Sequence, residues 1–208
     1  MTRPVSPAPF VPQGELDRAE RCDEILRLAA LGLKQRLEHT RARCALIGLS
    51  GGLDSTLAIL IAAMAFDLLG RAREEIIAVT MPCFGTTVRT RSNAEQLAQQ
   101  LGARLLTVDI GDAVSQHFAD IGQSMRDHSI TYENSQARER TQVPMDLANQ
   151  REGPVVGTGD LSELAPGRCT DNGEHISMYA GNASPPKTPV PPPPACAPDA
   201  QSGDVASV

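Results

Sequence analysis

At 208 residues and a net charge of −6, with no long basic run, the chain is sized for one α/β domain with a real core, and its charge argues against nonspecific nucleic-acid binding. Its five cysteines (Cys22, Cys44, Cys83, Cys169, Cys196) are scattered and include no CxxC pair, so neither a disulfide framework nor a zinc site is indicated and a reducing cytoplasm is the expected setting. The N-terminus lacks an apolar signal stretch and the longest apolar run, Leu57 to Phe66, is half a membrane span, so a soluble protein without a membrane partner is expected.

Residues 1–13 carry Pro4, Pro7, Pro9 and Pro12 and read as an extended lead-in. Ala19, Cys22, Ile25, Leu26, Ala29, Leu33 and Leu37 then recur at helical spacing among charged residues, predicting an amphipathic helix over 15–39. A buried strand over 44–49 runs into a helix over 55–69 that is apolar nearly all round and stops at Gly70. The next elements are a strand over 75–81, a helix over 88–101 ending at Gly102, a strand over 104–108, and a helix over 112–126 with Asp109 and Asp112 at its start. A longer helix over 132–150 contains Pro144, and Pro154 to Asp160 reads as a fourth strand ending in a glycine-bounded turn.

From Leu164 onward the chain reads as irregular and polar. Pro185 to Pro198 holds eight of the 16 prolines, so residues 189–208 are expected to be extended or disordered. The βαβαβ rhythm predicts an α/β fold, a parallel sheet of four to five strands with helices on both faces, and a ligand beyond the carboxyl ends of the strands. The expected organisation is a lead-in over 1–13, a domain over 14–188 and a tail over 189–208.

The most informative stretch is Ser50-Gly51-Gly52-Leu53-Asp54-Ser55-Thr56, set between an apolar strand and an apolar helix. Two glycines at that junction let successive amides converge, while Ser50, Ser55, Thr56 and the helix N-terminus add donors and partial positive charge. That combination suits a phosphate or pyrophosphate. Asp54 would repel a bound phosphate unless a cation lay between them, so it reads as a magnesium ligand. No lysine follows the glycines, so this is not a GxxxxGK[ST] loop. The bland alternative is a plain turn with Asp54 as a cap.

The SGG-x-DS string resembles the pyrophosphate loop of the N-type ATP pyrophosphatases. Taken with Tyr132 to Gln142 (YENSQARERTQ), Val155 to Glu163 (VVGTGDLSE), and Asn182-Ala183-Ser184 before Lys187-Thr188, the sequence resembles NAD synthetase, in particular the synthetase domain of the glutamine-dependent kind, over most of residues 9–188. The resemblance implies an adenine nucleotide alpha hydrolase-like fold. It also implies a carbon–nitrogen ligase that adenylates deamido-NAD+ with ATP, releases pyrophosphate, and then uses ammonia to form NAD+.

On that resemblance, ATP would meet Gly48, Leu49, Ser50, Gly51, Gly52, Leu53, Asp54, Ser55, Thr158 and Lys187. Deamido-NAD+ would meet Asn134, Arg138, Glu163, Arg168 and Asp171, and Mg2+ would be held by Asp54 and Glu163. No side chain is implied as an acid–base catalyst. Ammonia would arrive free or from a glutaminase domain or subunit, and a homo-oligomer is implied, with no nucleic acid or membrane as partner. Each residue also has a simpler reading: Arg138-Glu139-Arg140 as a solvated helix face, Glu163 as a capping carboxylate, Thr158 as a strand end, Lys187 as a surface lysine.

Three features depart from the family pattern. No cysteine stands in a glutaminase context. Arg168 and Asp171 occupy positions where an aromatic and a tyrosine are expected. Beyond Thr188 a proline-rich segment stands where further helices are expected. These departures imply a C-terminally incomplete domain, with a non-catalytic nucleotide-binding remnant and a different adenylating enzyme of the superfamily as alternatives.

Overall fold

The computed structural model describes residues 14–85, 88–159 and 177–180, with the backbone alone for 88–91. The chain opens on α1 (Glu15–Thr40), whose buried residues Cys22, Leu26, Ala30, Leu33 and Leu37 follow one another at steps of three and four and so form a single stripe. Burying a leucine such as Leu33 or Leu37 contributes roughly 1.5–3 kcal/mol, which is why the stripe rather than helix propensity fixes α1 on the domain. Arg41 ends the helix in a left-handed conformation, its amide returning to the carbonyls of Leu37 and Glu38.

The elements then follow as β1 (Ala45–Gly48), α2 (Leu53–Leu69), a 3-10 turn at Arg73–Glu75, β2 (Ile76–Thr80), α3 (Val88–Leu101), β3 (Arg104–Thr107), α4 (Gly111–Ile121), α5 (Ile130–Arg151), β4 (Val155–Gly157) and β5 (Tyr179–Ala180). All pairings are parallel, and the sheet order is β3-β2-β1-β4-β5. Register is set by Ala45 opposite Ile76, Ile77 opposite Arg104, Leu46 opposite Val155 and Val156 opposite Tyr179.

Alternation along the strands divides the core into two faces. Ala45, Ile47, Ile76, Ala78 and Val156 pack with α1, α2 and α3, whereas Leu46, Ile77, Val79 and Val155 pack with Met145, Leu147 and Ala148 of α5. A third cluster of Ile110, Val114 and Phe118 seats α4 under Phe84, Tyr132 and Val143. The chain winds outward from β1 to β3, then returns to the far side of β1 as β4. The winding direction therefore reverses between β1 and β4, and in open α/β sheets a ligand crevice forms at such a point.

The expected elements are present, with three differences. α4 ends at Ile121 rather than at 126, because Gly122 adopts a left-handed φ of 72° and its amide turns back to Ala119 and Phe118. Pro144 neither ends nor divides α5; it is buried within the helix and leaves the Arg140 carbonyl without its usual helical donor. The stretch read as irregular contributes a fifth strand at Tyr179–Ala180. The expected tail over 189–208 lies outside the described residues.

Candidate functional site

The site begins where β1 ends. The Leu49 amide bonds to the Val79 carbonyl at 2.8 Å, which holds the chain in the sheet for one residue beyond the strand and keeps Leu49 buried. Immediately afterwards Ser50 is exposed and Gly51 takes a φ of 78°, a left-handed conformation costly to a residue with a Cβ. Gly52 is extended and precedes the first residue of α2.

The turn is tied by its own hydroxyls. Ser50 Oγ accepts the Gly52 amide at 3.3 Å and lies 3.1 Å from Ser55 Oγ. Ser55 Oγ and Thr56 Oγ1 both donate to the Gly52 carbonyl, at 3.0 and 2.9 Å. No side chain caps the first turn of α2, so its early amides and its dipole are presented toward the exposed turn, the arrangement that binds anions at helix starts. Asp54 is the acidic residue of that first turn and is half-buried.

Beside the turn lies a cavity of about 330 Å³. Its floor is the carboxyl end of the sheet: Gly48 of β1 with Leu49 just beyond it, Thr80 of β2 with Met81 just beyond it, and Val155, Val156 and Gly157 of β4 with Thr158 just beyond them. Ser50 forms one rim and Ser177 another, while Ala137, Arg140, Thr141 and Pro144 of α5 form a wall. Those four are spaced i, i+3, i+4 and i+7, so they share one helix face. Arg140 is the one charged side chain lining the cavity among the described residues. The mixture of apolar walls, several hydroxyls and one cation suits an organic anion.

Cys83, half-buried just beyond β2, has its thiol pushed up from its ordinary value mainly by burial, with a hydrogen bond from the Phe84 backbone and, less strongly, the nearby Arg140 pulling the other way. A thiol so placed stays protonated at neutral pH and is not an activated nucleophile.

Of the residues expected at the site, Gly48, Leu49, Ser50 and Thr158 line this cavity, and Gly51, Gly52, Leu53, Asp54 and Ser55 form the turn and helix start next to it. Asn134 and Arg138 sit on α5 but do not line the cavity; Arg138 is exposed and Asn134 half-buried. Glu163, Arg168, Asp171 and Lys187 lie outside the described residues. Thr80, Met81, Arg140, Thr141 and Ser177 join the site without having been expected there. For Arg140 and Thr141 a signal existed in their spacing from Ala137 and Pro144.

No cluster of three or more His, Cys, Asp or Glu side chains gathers among the described residues, so they form no all-protein metal cage. Magnesium is commonly held by one or two carboxylates together with substrate phosphates. Asp54 at the turn is a donor of the right kind. Among the described residues no helix is long and apolar enough to cross a membrane.

Known proteins match this arrangement. The family model described as NAD synthase covers residues 25–181. The chain is 42% identical over 193 residues to a glutamine-dependent NAD(+) synthetase of Mycobacterium leprae, and 41% identical to one of Mycobacterium tuberculosis, covering 90% of this chain in both. It spans 28% of the length of each of those relatives. Among solved structures, a glutamine-dependent NAD+ synthetase of Acinetobacter baumannii in complex with ADP superposes with a TM-score of 0.73 at 30% identity, over 80% of this chain and 31% of that one. An NH3-dependent NAD synthetase of Campylobacter jejuni gives 0.69 over 81% of this chain and 70% of that one, at 23% identity, a likeness of fold. The five-stranded parallel sheet, the glycine turn at the reversal of winding and the match over 25–181 agree: the chain belongs to the NAD synthase family.

Proposed function

We propose that this chain carries the ATP site of an NAD+-forming ligase. A carboxylate oxygen of the nicotinate ring in deamido-NAD+ attacks the α-phosphorus of ATP, the bond to the β-phosphate oxygen breaks, and pyrophosphate departs. Ammonia then attacks the activated acyl carbon, the carbon–oxygen bond to AMP breaks, a proton is lost, and the amide of NAD+ remains.

Little acid–base work is needed from side chains. The reaction needs alignment, neutralised charge and exclusion of water, tasks that fixed donors in a walled cleft perform. In this reading the amides around Gly51 and Gly52, with Ser50 and Ser55, grip the leaving diphosphate. Gly48, Leu49, Leu53 and Thr158 shape the ATP cleft, and Arg140 offsets the charge of the phosphates within it. Lys187 meets the phosphates from beyond the described residues. Asn134, Arg138, Arg168 and Asp171 meet the dinucleotide, with Glu163 serving both dinucleotide and metal. Asp54 and Glu163 would hold Mg2+, which supplies charge neutralisation on the diphosphate when bound.

Ammonia comes free or from a glutaminase domain or subunit. A homo-oligomer in the cytoplasm completes the reading. The observation that carries it is the uncapped, exposed glycine turn at the reversal of sheet winding, opening beside a cavity whose one charged lining residue among the described residues is an arginine.

The test is pyrophosphate released from ATP in the presence of deamido-NAD+ and ammonium. Release that requires both co-substrates, with NAD+ formed in equal amount, is expected. Binding of ATP without turnover would instead favour a non-catalytic nucleotide-binding unit, and release with another acceptor a different adenylating enzyme.

A further inference from the structure

The cavity has a rim, Ser177, that is held from the opposite face of the domain. β5 contributes two residues to the sheet, pairing Val156 with Tyr179 and Gly157 with Ala180, and the Met178 amide adds one bond to the Val155 carbonyl at 3.0 Å. So short a ladder returns little for the entropy lost in ordering the segment. Among the described residues, further anchorage comes from Met178, packed against the cluster of Leu46, Ile77 and Val79, and from Tyr179.

The Tyr179 ring packs against the core cluster shared by α1 and α2, and its hydroxyl lies over Gly32 of α1. A Cβ at Gly32 would stand 2.5 Å from that hydroxyl but 3.7 Å from the ring carbon bearing it. The notch therefore exists because position 32 has no side chain, and it is filled by one oxygen atom. That oxygen also points a long hydrogen bond of 3.5 Å at the Ala29 carbonyl.

Two residues upstream, Ser177 meets Gly157 with the same closeness. A Cβ at Gly157 would lie 2.4 Å from Ser177 Oγ. Ser177 thus occupies the space that a side chain on β4 would fill, and it lines the cavity together with Ser50 and Thr158.

We propose that Tyr179 is a positioning residue for the nucleotide cavity: seated in the Gly32 notch of α1, it holds the β5 segment on β4 so that Ser177 presents its hydroxyl to the bound nucleotide. This rests on the reading of the cavity as an ATP site. Ser177 is then a contact residue, and the packing of α1, on the other side of the sheet, sets nucleotide affinity.

The test compares Gly32→Ala, the double variant Gly32→Ala/Tyr179→Phe, and Ser177→Ala. ATP affinity is read by calorimetry, and exchange of the amides of residues 177–180 by mass spectrometry. Gly32→Ala is expected to weaken ATP binding about fivefold, the loss of roughly one neutral hydrogen bond, and to speed exchange in that segment. Removing the hydroxyl in the double variant leaves the 3.7 Å ring contact, an ordinary van der Waals distance, so both effects are expected to revert. Ser177→Ala is expected to weaken ATP binding similarly without speeding exchange.

A general loss of stability from Gly32→Ala would not be cured by deleting a hydroxyl, so failure of the double variant to recover overturns the proposal. So does unchanged ATP affinity in Gly32→Ala. If Gly32→Ala does not fold, Ser177→Ala decides: undiminished ATP affinity overturns the proposal. Absence of ATP binding by the unsubstituted protein would sink the functional reading itself and this proposal with it, a result distinct from ATP binding that is indifferent to these substitutions.

Discussion

The hydroxyls of Ser50 and Ser55 lie 3.1 Å apart, one at the end of the β1 segment and the other within the first turn of α2. That contact spans the glycine pair and closes the turn on itself. Ser55 is buried and Ser50 exposed, so one hydroxyl anchors the turn to the domain while the other faces the solvent side. Ser55→Ala removes the link to Ser50 and the bond to the Gly52 carbonyl together. It is expected to lower kcat/KM for ATP by about tenfold or more and to cost about 1 kcal/mol in stability. Steady-state kinetics alongside urea unfolding would check both figures; unchanged kinetics would show that the turn needs no such tie.

Asp54→Asn keeps size and hydrogen-bonding capacity but removes the charge. If Asp54 helps to hold the metal on the diphosphate, the magnesium concentration for half-maximal activity should rise about tenfold, with turnover falling more than ATP affinity. A magnesium titration of activity at saturating ATP reads this directly. An unshifted midpoint would leave Asp54 as a helix-start carboxylate and no more.

Arg71 sits far from the cavity and tests stability apart from function. Its guanidinium donates to the Ala42 carbonyl at 2.8 Å and the Arg43 carbonyl at 2.5 Å, pairs with Glu75, and stacks over Phe66 at 4.8 Å. It thereby binds the α1–β1 connection to the end of α2. A charge-assisted bond contributes about 1.5–3 kcal/mol, and the exposed bond to the Arg43 carbonyl less than that, so Arg71→Ala should destabilise the fold by roughly 2–4 kcal/mol in urea unfolding while leaving the KM for ATP unchanged. Arg71→Lys should recover only part of this, because an ammonium cannot reproduce the planar fork.

Cys44 predicts a pH dependence. Burial pushes its thiol up from the ordinary value, against the smaller opposing pull of Arg151 and Arg71, while its Sγ donates to the Arg151 carbonyl at 3.3 Å. A raised folded-state value means that the folded protein keeps a proton the unfolded chain has released. The stabilisation is therefore complete below the unfolded thiol value of 9.0 and is lost as pH rises from there through the folded value. Unfolding midpoints measured from pH 8 upward should fall, and Cys44→Ala should flatten that decline. A decline of equal steepness in the variant would assign it to other groups.

Much of this architecture is legible in the chain itself. The passage from Ala45 through Thr56 announces a strand, a glycine turn and a helix because backbone freedom, hydroxyls and apolar flanks coincide there, and the turn stands where that pattern puts it. The walls of the cavity are less legible, since they come from β2, α5 and the β5 segment, brought together only by the sheet order. Arg140 follows Arg138 and Glu139 in a charged run that reads as a solvated face; packing of α5 on β1 turns position 140 toward the cavity and leaves Arg138 exposed. A two-residue strand such as Tyr179–Ala180 carries no periodicity at all, and what seats it, the pairing with Val156 and Gly157 and the packing of Met178 and Tyr179, arises only in three dimensions. The early end of α4 is encoded locally, in Gly122, but the apolar Met125 just beyond it masks the stop.

In the proposed function the amides around Gly51 and Gly52 grip the diphosphate of ATP. Such a grip is read from the backbone amide resonances of Gly51, Gly52, Leu53 and Asp54 during titration with ATP and magnesium, and then with pyrophosphate alone. Saturable shifts at these four positions in both titrations are predicted. Shifts confined to other parts of the molecule, or none at all with ATP, would contradict the account.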